Sequence, residues 1–122
     1  MSVSTLQPDK VFKLFALALL ASLAAACSGS GGQTTGSTCP SDSTLTYETF
    51  GQSFINSYCA ACHSGREQPT LSSLSAIQAH LDEIDRVAAA GPNAVNTAMP
   101  QGGSLPDAER QKLGEWLACG AP

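Results

Sequence analysis

The sequence predicts a small all-α domain of about three helices. Apolar residues recur at steps of three and four in three separate segments, which is the spacing of an amphipathic helix. No run of alternating polarity indicates a strand. The chain has only 122 residues, and its front end differs in composition from the rest. A domain of the remaining size buries a thin hydrophobic core, so we expect a disulfide, a metal or a large cofactor to support it.

The front end has the features of an export signal. Lys10 and Lys13 precede a low-polarity run of 13 residues, 14–26. A membrane-spanning helix needs about 20 such residues, so the run is too short for an anchor and typical of a secretory signal. Residues 1–26 are therefore predicted to be a signal peptide.

Small residues ending in Cys27 resemble the lipobox of bacterial lipoproteins. That resemblance implies cleavage before Cys27, lipidation of its thiol and attachment to the periplasmic side of a membrane. Ordinary cleavage after Ala26 is the alternative, and it would leave a soluble periplasmic or secreted protein.

Residues 28–38 contain four glycines and no hydrophobic side chain. Such a segment buries too little apolar surface to order itself. We expect residues 27–38 to be a lipidated cysteine and a flexible tether, and residues 39–122 to be the folded domain.

Charge limits the possible partners. Beyond Cys27 the chain has four basic and nine acidic residues, a balance of −5. This excludes binding of nucleic acid through a basic face. It favours a protein partner whose docking surface is basic.

The first predicted helix leads directly into a cysteine motif. Its apolar face consists of Tyr47, Phe50, Gly51, Phe54, Ile55 and Tyr58. Gly51 would let another helix cross closely.

Cys59-Ala60-Ala61-Cys62-His63 is the attachment signature of a c-type haem. Two thiols at this spacing reach the two vinyl groups on one edge of a porphyrin, and the imidazole that follows is aimed at the iron. A zinc site would need a second pair of ligands, and a thioredoxin-like dithiol would need a strand leading into it. The sequence therefore predicts one covalent haem c on Cys59 and Cys62, with His63 as the proximal iron ligand.

Two cysteines remain, Cys39 and Cys119, one near each end of the domain. In an oxidising compartment, leftover thiols tend to pair. We expect a Cys39–Cys119 disulfide, with two free thiols as the alternative.

Met99 is the leading candidate for the second axial ligand. It is the only methionine beyond the signal peptide, and Pro100 keeps it out of a helical conformation. The middle helix is predicted from residue 71 to 89, with an apolar stripe of Leu74, Ile77, Leu81, Ile84 and Ala88. His80 lies on the flank of that stripe, and Lys112 is a remote third candidate. Ligation by His and Met also raises the reduction potential, as electron carriers often need.

The last predicted helix begins near Pro106, with Ser104 as a candidate cap and acidic residues in its first turn. Its buried stripe consists of Leu113, Trp116 and Leu117.

With these motifs, residues 45–119 resemble the class I c-type cytochromes, small one-haem electron carriers. The resemblance implies an all-α cytochrome c-like fold in which the first and last helices cross, so that Gly51 and Phe54 meet Leu113 and Trp116. It also implies a haem pocket lined by Phe54, Tyr58, Leu74, Ile77, Leu81 and Trp116. The segment between His63 and Met99 is shorter than in larger members, and a cysteine near each end of the domain is unusual in the smallest ones.

The predicted function is one-electron transfer to or from a redox partner protein in the periplasm or at the membrane surface. One alternative is a haem subunit of a larger oxidoreductase. Another is a haem sensor or enzyme with an open sixth position. A fourth interpretation is a haem-free lipoprotein with disulfides 59–62 and 39–119.

Overall fold

A computed structural model describes residues 31–122, which form five α-helices and one π-helical turn with no β-strand. This confirms the predicted all-α fold. Only an isolated antiparallel bridge between Ala90 and Val95 interrupts the helical pattern of this part of the chain. The π-helical turn spans Tyr47–Gly51, and the α-helices are α1 (Gln52–Tyr58), α2 (Ala60–His63), α3 (Leu74–Gln78), α4 (Leu81–Ala88) and α5 (Asp107–Ala118).

The first helical segment begins at a capping box. The amide of Thr49 donates to the Thr46 hydroxyl over 3.2 Å, and the amide of Thr46 donates to the Thr49 hydroxyl over 2.8 Å. Two amide groups at the start of the helix are thereby satisfied. The segment runs through α1 to the cysteine motif, where Cys59 has a non-helical φ of −120°. The motif itself forms the single turn of α2.

The middle helix is not continuous, contrary to the prediction for residues 71–89. Ser73 caps α3 by accepting from the amide of Ala76 over 3.2 Å, so the helix starts later than expected. His80 leaves the helical region with φ −127° and ψ 24°. The His80 amide donates to the Ile77 carbonyl over 2.9 Å, so the chain tightens for one turn before α4 begins.

The last helix begins at Asp107, and its N-cap is Pro106 rather than Ser104. Pro106 is extended, and its carbonyl accepts from the amides of Glu109 and Arg110 over 3.0 Å each. Proline suits this position because its missing N–H would be unpaired in any case. Ser104 is exposed and lies outside the helix.

The core joins the two ends of the domain. Trp116 is fully buried, and its ring meets Phe50 edge-on with centroids 5.8 Å apart. A methyl group at Gly51 would overlap the Trp116 indole, so glycine is what allows the first helical segment to lie against α5. Phe54 continues the aromatic contact from Phe50, with centroids 5.2 Å apart.

Residues 31–38 do not behave as the expected flexible tether. Thr35 is only 1% exposed. Its amide and hydroxyl both donate to the Asp85 carboxylate, over 2.9 and 2.6 Å. The amide of Gly32 donates to the Arg86 carbonyl over 2.8 Å. We call residues 31–37 the strap.

The strap lacks apolar side chains, and its main-chain polar groups are satisfied by the domain instead. The side-chain amide of Asn96 donates to the Gln33 carbonyl over 2.8 Å, and Ser37 donates to the Ala90 carbonyl over 3.2 Å. A Cβ at Gly32 would overlap Asn96. The compact unit that contains the domain therefore includes residues 31–38 and does not begin at Cys39. The composition predicted a tether because the segment has no apolar side chains to bury. Composition gives no information on the hydrogen bonds that hold the segment.

Cys39 and Cys119 form a disulfide across a sequence separation of 80, with Cα atoms 4.7 Å apart. Nearby, the amide of Tyr47 donates to the Pro122 carbonyl over 2.6 Å. The start and the end of the domain are thus joined twice.

The predicted signal peptide, residues 1–26, and Cys27 lie outside the described residues. Within residues 31–122, none of the helices has the length and apolar character needed to cross a membrane.

Candidate functional site

The cysteine motif and Met99 share one cavity. Its volume is about 380 Å³. Four stretches of chain line it: the end of α1 with α2, the loop after α2, helix α4, and the loop before α5. The lining residues are Phe54, Tyr58, Cys59, Ala61, Cys62, His63, Glu67, Gln68, Pro69, Leu71, Glu83, Ile84, Val87, Ala88, Met99, Pro100, Gln101 and Leu105.

His63 is held in one tautomer. Its Nδ1 lies 2.8 Å from the carbonyl oxygen of Pro69. Because a carbonyl oxygen can only accept, Nδ1 carries the hydrogen, and in the neutral ring Nε2 has the free lone pair. A second partner of this kind is what orients a ligating histidine in metal sites.

The loop that supplies the Pro69 carbonyl is itself fastened to the motif. The amide of Glu67 donates to the Cys62 carbonyl over 3.0 Å, and the amide of Leu71 donates to the His63 carbonyl over 2.7 Å. These two bonds fold residues 64–71 back over α2. The imidazole orientation therefore follows from main-chain contacts on both sides of Pro69.

The two thiols of the motif are free and differ in exposure. Cys59 is half-buried and Cys62 is exposed. Burial raises the pKa of the Cys59 thiol to about 11, so little thiolate forms there near neutral pH. Cys62 lies at the open side of the cavity, where one edge of a bound group would meet solvent.

Met99 lines the cavity from the loop before α5, and it is half-buried. The amide of Met99 donates to the Val87 carbonyl over 2.8 Å, which ties this loop to α4. The Met99–Pro100 peptide bond is cis.

The other two candidate axial ligands lie elsewhere. His80 faces solvent with its Nδ1 2.9 Å from a Glu83 carboxylate oxygen, and it does not line the cavity. Lys112 forms an exposed pair with Glu109 over 2.8 Å. Of the three candidates, only Met99 shares the cavity with His63.

Two of the six predicted pocket residues line this cavity. Phe54 and Tyr58 line the cavity, whereas Leu74, Ile77, Leu81 and Trp116 do not. Ile77 and Trp116 are completely buried in the hydrophobic core, with Leu74 and Leu81 packed against it. No residue of α3 lines the cavity, and the α4 contribution begins at Glu83.

The wall is instead formed by residues that sequence reasoning missed as pocket residues. Leu71 and Leu105 come from loops, where helical spacing gives no signal. The α4 contribution is Ile84, Val87 and Ala88. Ile84 and Ala88 belonged to the predicted apolar stripe of the middle helix, but a stripe cannot tell a core contact from a cofactor contact.

The donor set fits a haem c. Two free thiols at the attachment spacing, an imidazole with Nε2 available and one thioether all reach a cavity whose other walls are largely apolar. Within residues 31–122, no cluster of three or more His, Cys, Asp and Glu side chains could hold a metal ion. A porphyrin is the kind of group for which these residues are suited.

The helical fold and this site define a c-type cytochrome domain. The family described as cytochrome c oxidase, cbb3-type, subunit III matches residues 48–117, more than half of the chain, and the chain belongs to that family. Neither the curated proteins nor the solved structures include a significant match to it.

Proposed function

We propose that this protein is a one-electron carrier with a single haem c bound covalently through Cys59 and Cys62. His63 and Met99 are the proposed axial ligands. The observation that carries the proposal is the convergence of both thiols, the oriented imidazole and the Met99 side chain on one cavity. Membership of a cytochrome family supports the same chemistry.

Each residue has a distinct part in this function. The thiols retain the haem in a pocket too small to hold it by contacts alone. His63 presents Nε2, and the Pro69 carbonyl prevents the ring from turning. Met99 presents a soft sulfur, which favours the ferrous state and raises the reduction potential. When bound, the haem iron supplies the one-electron couple.

Electrons are proposed to pass at the exposed edge of the site. Cys62 and Ala61 are solvent-exposed and line the cavity, so a partner can approach there directly. The excess of acidic residues favours a partner with a basic docking face, acting mainly on the association rate. Glu67 and Glu83 also line the cavity and place negative charge at the site.

The proposed location is the periplasmic side of a bacterial membrane. The signal-like run at 14–26 and the lipobox-like residues before Cys27 support export and lipid anchoring. A soluble periplasmic form is the alternative. The mass of the exported protein distinguishes the two, because lipidation adds acyl chains to Cys27.

A second candidate function is that of a haem subunit in a larger oxidoreductase, which the family description favours. The two functions differ in their partners and not in the haem chemistry. Purification of the tagged protein from mild detergent decides between them. A stable stoichiometric partner supports the subunit, and recovery of the single chain supports the carrier.

The haem itself is tested by expression of the full chain in a strain that matures c-type cytochromes. We expect a red protein whose denatured mass exceeds that of the processed polypeptide by one haem. The oxidised form should show a weak far-red sulfur-to-iron charge-transfer band, and the reduced form should not bind carbon monoxide. A colourless product at the mass of the bare polypeptide contradicts the proposal, and ready carbon monoxide binding indicates an open sixth position.

A further inference from the structure

Arg110 is a buried cation with an unusual set of partners. It lies on α5 and is only 4% exposed. Within residues 31–122, no carboxylate forms an ion pair with it. A buried charge without such a partner is costly unless hydrogen bonds compensate it, so its neutral partners bear on its role.

Those partners are three main-chain carbonyls. One terminal nitrogen of Arg110 lies within hydrogen-bond distance of all three, the carbonyls of Ala88 at 2.7 Å, Asn96 at 2.7 Å and Met99 at 2.8 Å. This nitrogen carries two hydrogens, so at least one of them is shared between two carbonyls. Ala88 is the last residue of α4, where the helix dipole leaves partial negative charge. Arg110 thus joins the end of α4 to both ends of the segment 96–99.

Met99 is consequently held on both sides of its Cα atom. Its amide donates to the Val87 carbonyl over 2.8 Å, and its carbonyl accepts from Arg110 over 2.8 Å. Loops are ordinarily the most mobile connections of a domain, but here the residue that bears the thioether has no free main-chain polar group.

The segment before Met99 is also fixed from outside the loop. The Asn96 side chain, from a residue only 7% exposed, donates to the carbonyls of Gln33 in the strap and Asp85 in α4 over 2.8 Å each. The main-chain amide of Asn96 donates to the Ala89 carbonyl over 2.9 Å. Arg110 completes this arrangement by binding the Asn96 carbonyl.

We propose that Arg110 is a positioning residue for the sixth iron ligand. Its three hydrogen bonds hold the Met99 main chain so that the thioether stays in the cavity and resists displacement by other ligands. The inference rests on the proposed function, since it needs Met99 to bind the iron. Arg110 does not itself line the cavity, so it acts through Met99.

Lysine at position 110 distinguishes the effect of the side chain's length from the effect of its positive charge. R110K keeps the positive charge, but its nitrogen is one bond closer to the main chain than the terminal nitrogens of arginine, so it falls short of the three carbonyls. A purely electrostatic effect of the cation on the iron would survive in R110K. An effect of positioning would not.

The test measures imidazole binding to the oxidised holoprotein, because imidazole competes with Met99 for iron. We expect R110K to bind imidazole at least tenfold more tightly than the wild type, with a weakened sulfur-to-iron charge-transfer band. M99A gives the upper limit of imidazole affinity. The matched control is R86K, which makes the same substitution at an exposed residue of α4 and should leave both readouts unchanged.

R110Q is the second variant, used if R110K does not accumulate. It leaves no buried charge and again cannot reach the three carbonyls, so it should show the same rise in imidazole affinity. Wild-type imidazole affinity with a full-strength band in either variant overturns the inference, even if that variant unfolds more easily. A wild type that lacks the band and binds imidazole as tightly as M99A shows that Met99 is not a ligand. That result overturns the proposed ligation and this inference with it.

Discussion

At the scale of single residues, the site depends on main-chain groups that no motif records. The sequence predicted Cys59, Cys62 and His63 because the attachment spacing is dictated by the porphyrin itself. It could not identify the Pro69 carbonyl that fixes the His63 tautomer, because every residue has a carbonyl. For the same reason the sequence could not indicate the three carbonyls that accept from Arg110. Helical periodicity alone marks Arg110 only as one more polar residue on a helix.

Replacing Met99 with Ala should leave the haem attached, because Cys59, Cys62 and His63 are untouched. We expect the reduction potential to fall by about 0.1 V or more, within the roughly 0.8 V range that axial ligands set. Spectroelectrochemical titration measures this. The charge-transfer band should disappear in the same variant. A potential equal to that of the wild type would exclude Met99 from the site.

At the scale of helices, sequence spacing predicted where helices exist better than where they end. The stripe of Leu74, Ile77, Leu81 and Ile84 stays in helical phase through the break at His80, so the pattern could not show it. Leu74 and Ile77 in α3 and Leu81 at the start of α4 do not line the cavity, and helical spacing alone could not show this.

The contact between the first helical segment and α5 can be tested at Gly51. Gly51→Ala places a methyl group into the buried Trp116 ring, and overpacking of this kind typically costs about 1–3 kcal/mol. Denaturant unfolding of the holoprotein should show that loss. Ser53→Ala, at an exposed position of the same helical segment, should change stability little. Equal stability of both variants would mean that Trp116 can move aside.

The strap offers a similarly matched pair, because Thr34 and Thr35 are adjacent and identical in type. Thr35→Val keeps the shape but removes the hydroxyl that donates to Asp85 over 2.6 Å. A hydrogen bond to a charged group contributes about 1.5–3 kcal/mol, so the free energy of unfolding should fall by about that amount.

The control is Thr34→Val, since Thr34 is exposed. A similar loss in both variants would show that replacing either threonine of the strap with valine lowers stability, whether or not the Asp85 contact is removed. Limited proteolysis gives a second readout, with cleavage in the strap expected to increase only in Thr35→Val.

At the scale of the whole molecule, the domain is closed by a disulfide and by packing around one cavity. The cysteine count predicted the Cys39–Cys119 pair because the motif and the lipobox accounted for the other three thiols. What the count could not predict is that the described body includes residues 31–38, since the strap is held by hydrogen-bond donors and acceptors of α4 and the loop that follows it.

Removing this disulfide with Cys39→Ser and Cys119→Ser should lower stability without changing the visible spectrum. Opening a loop with a sequence separation of 80 costs up to roughly 4–4.5 kcal/mol by the chain-entropy estimate. Thermal unfolding of the double variant measures the loss. A shifted charge-transfer band would show instead that the disulfide influences the iron site.

The strap also shortens the segment that would link the domain to a lipid anchor. For a chain lipidated at Cys27, only three residues separate the acylated cysteine from Gly31, and they bridge about 14 Å at full extension. A cytochrome held so short would not sample a wide hemisphere above the bilayer. It would stay close to the lipid headgroups, so partners at or near the membrane surface would reach it most readily.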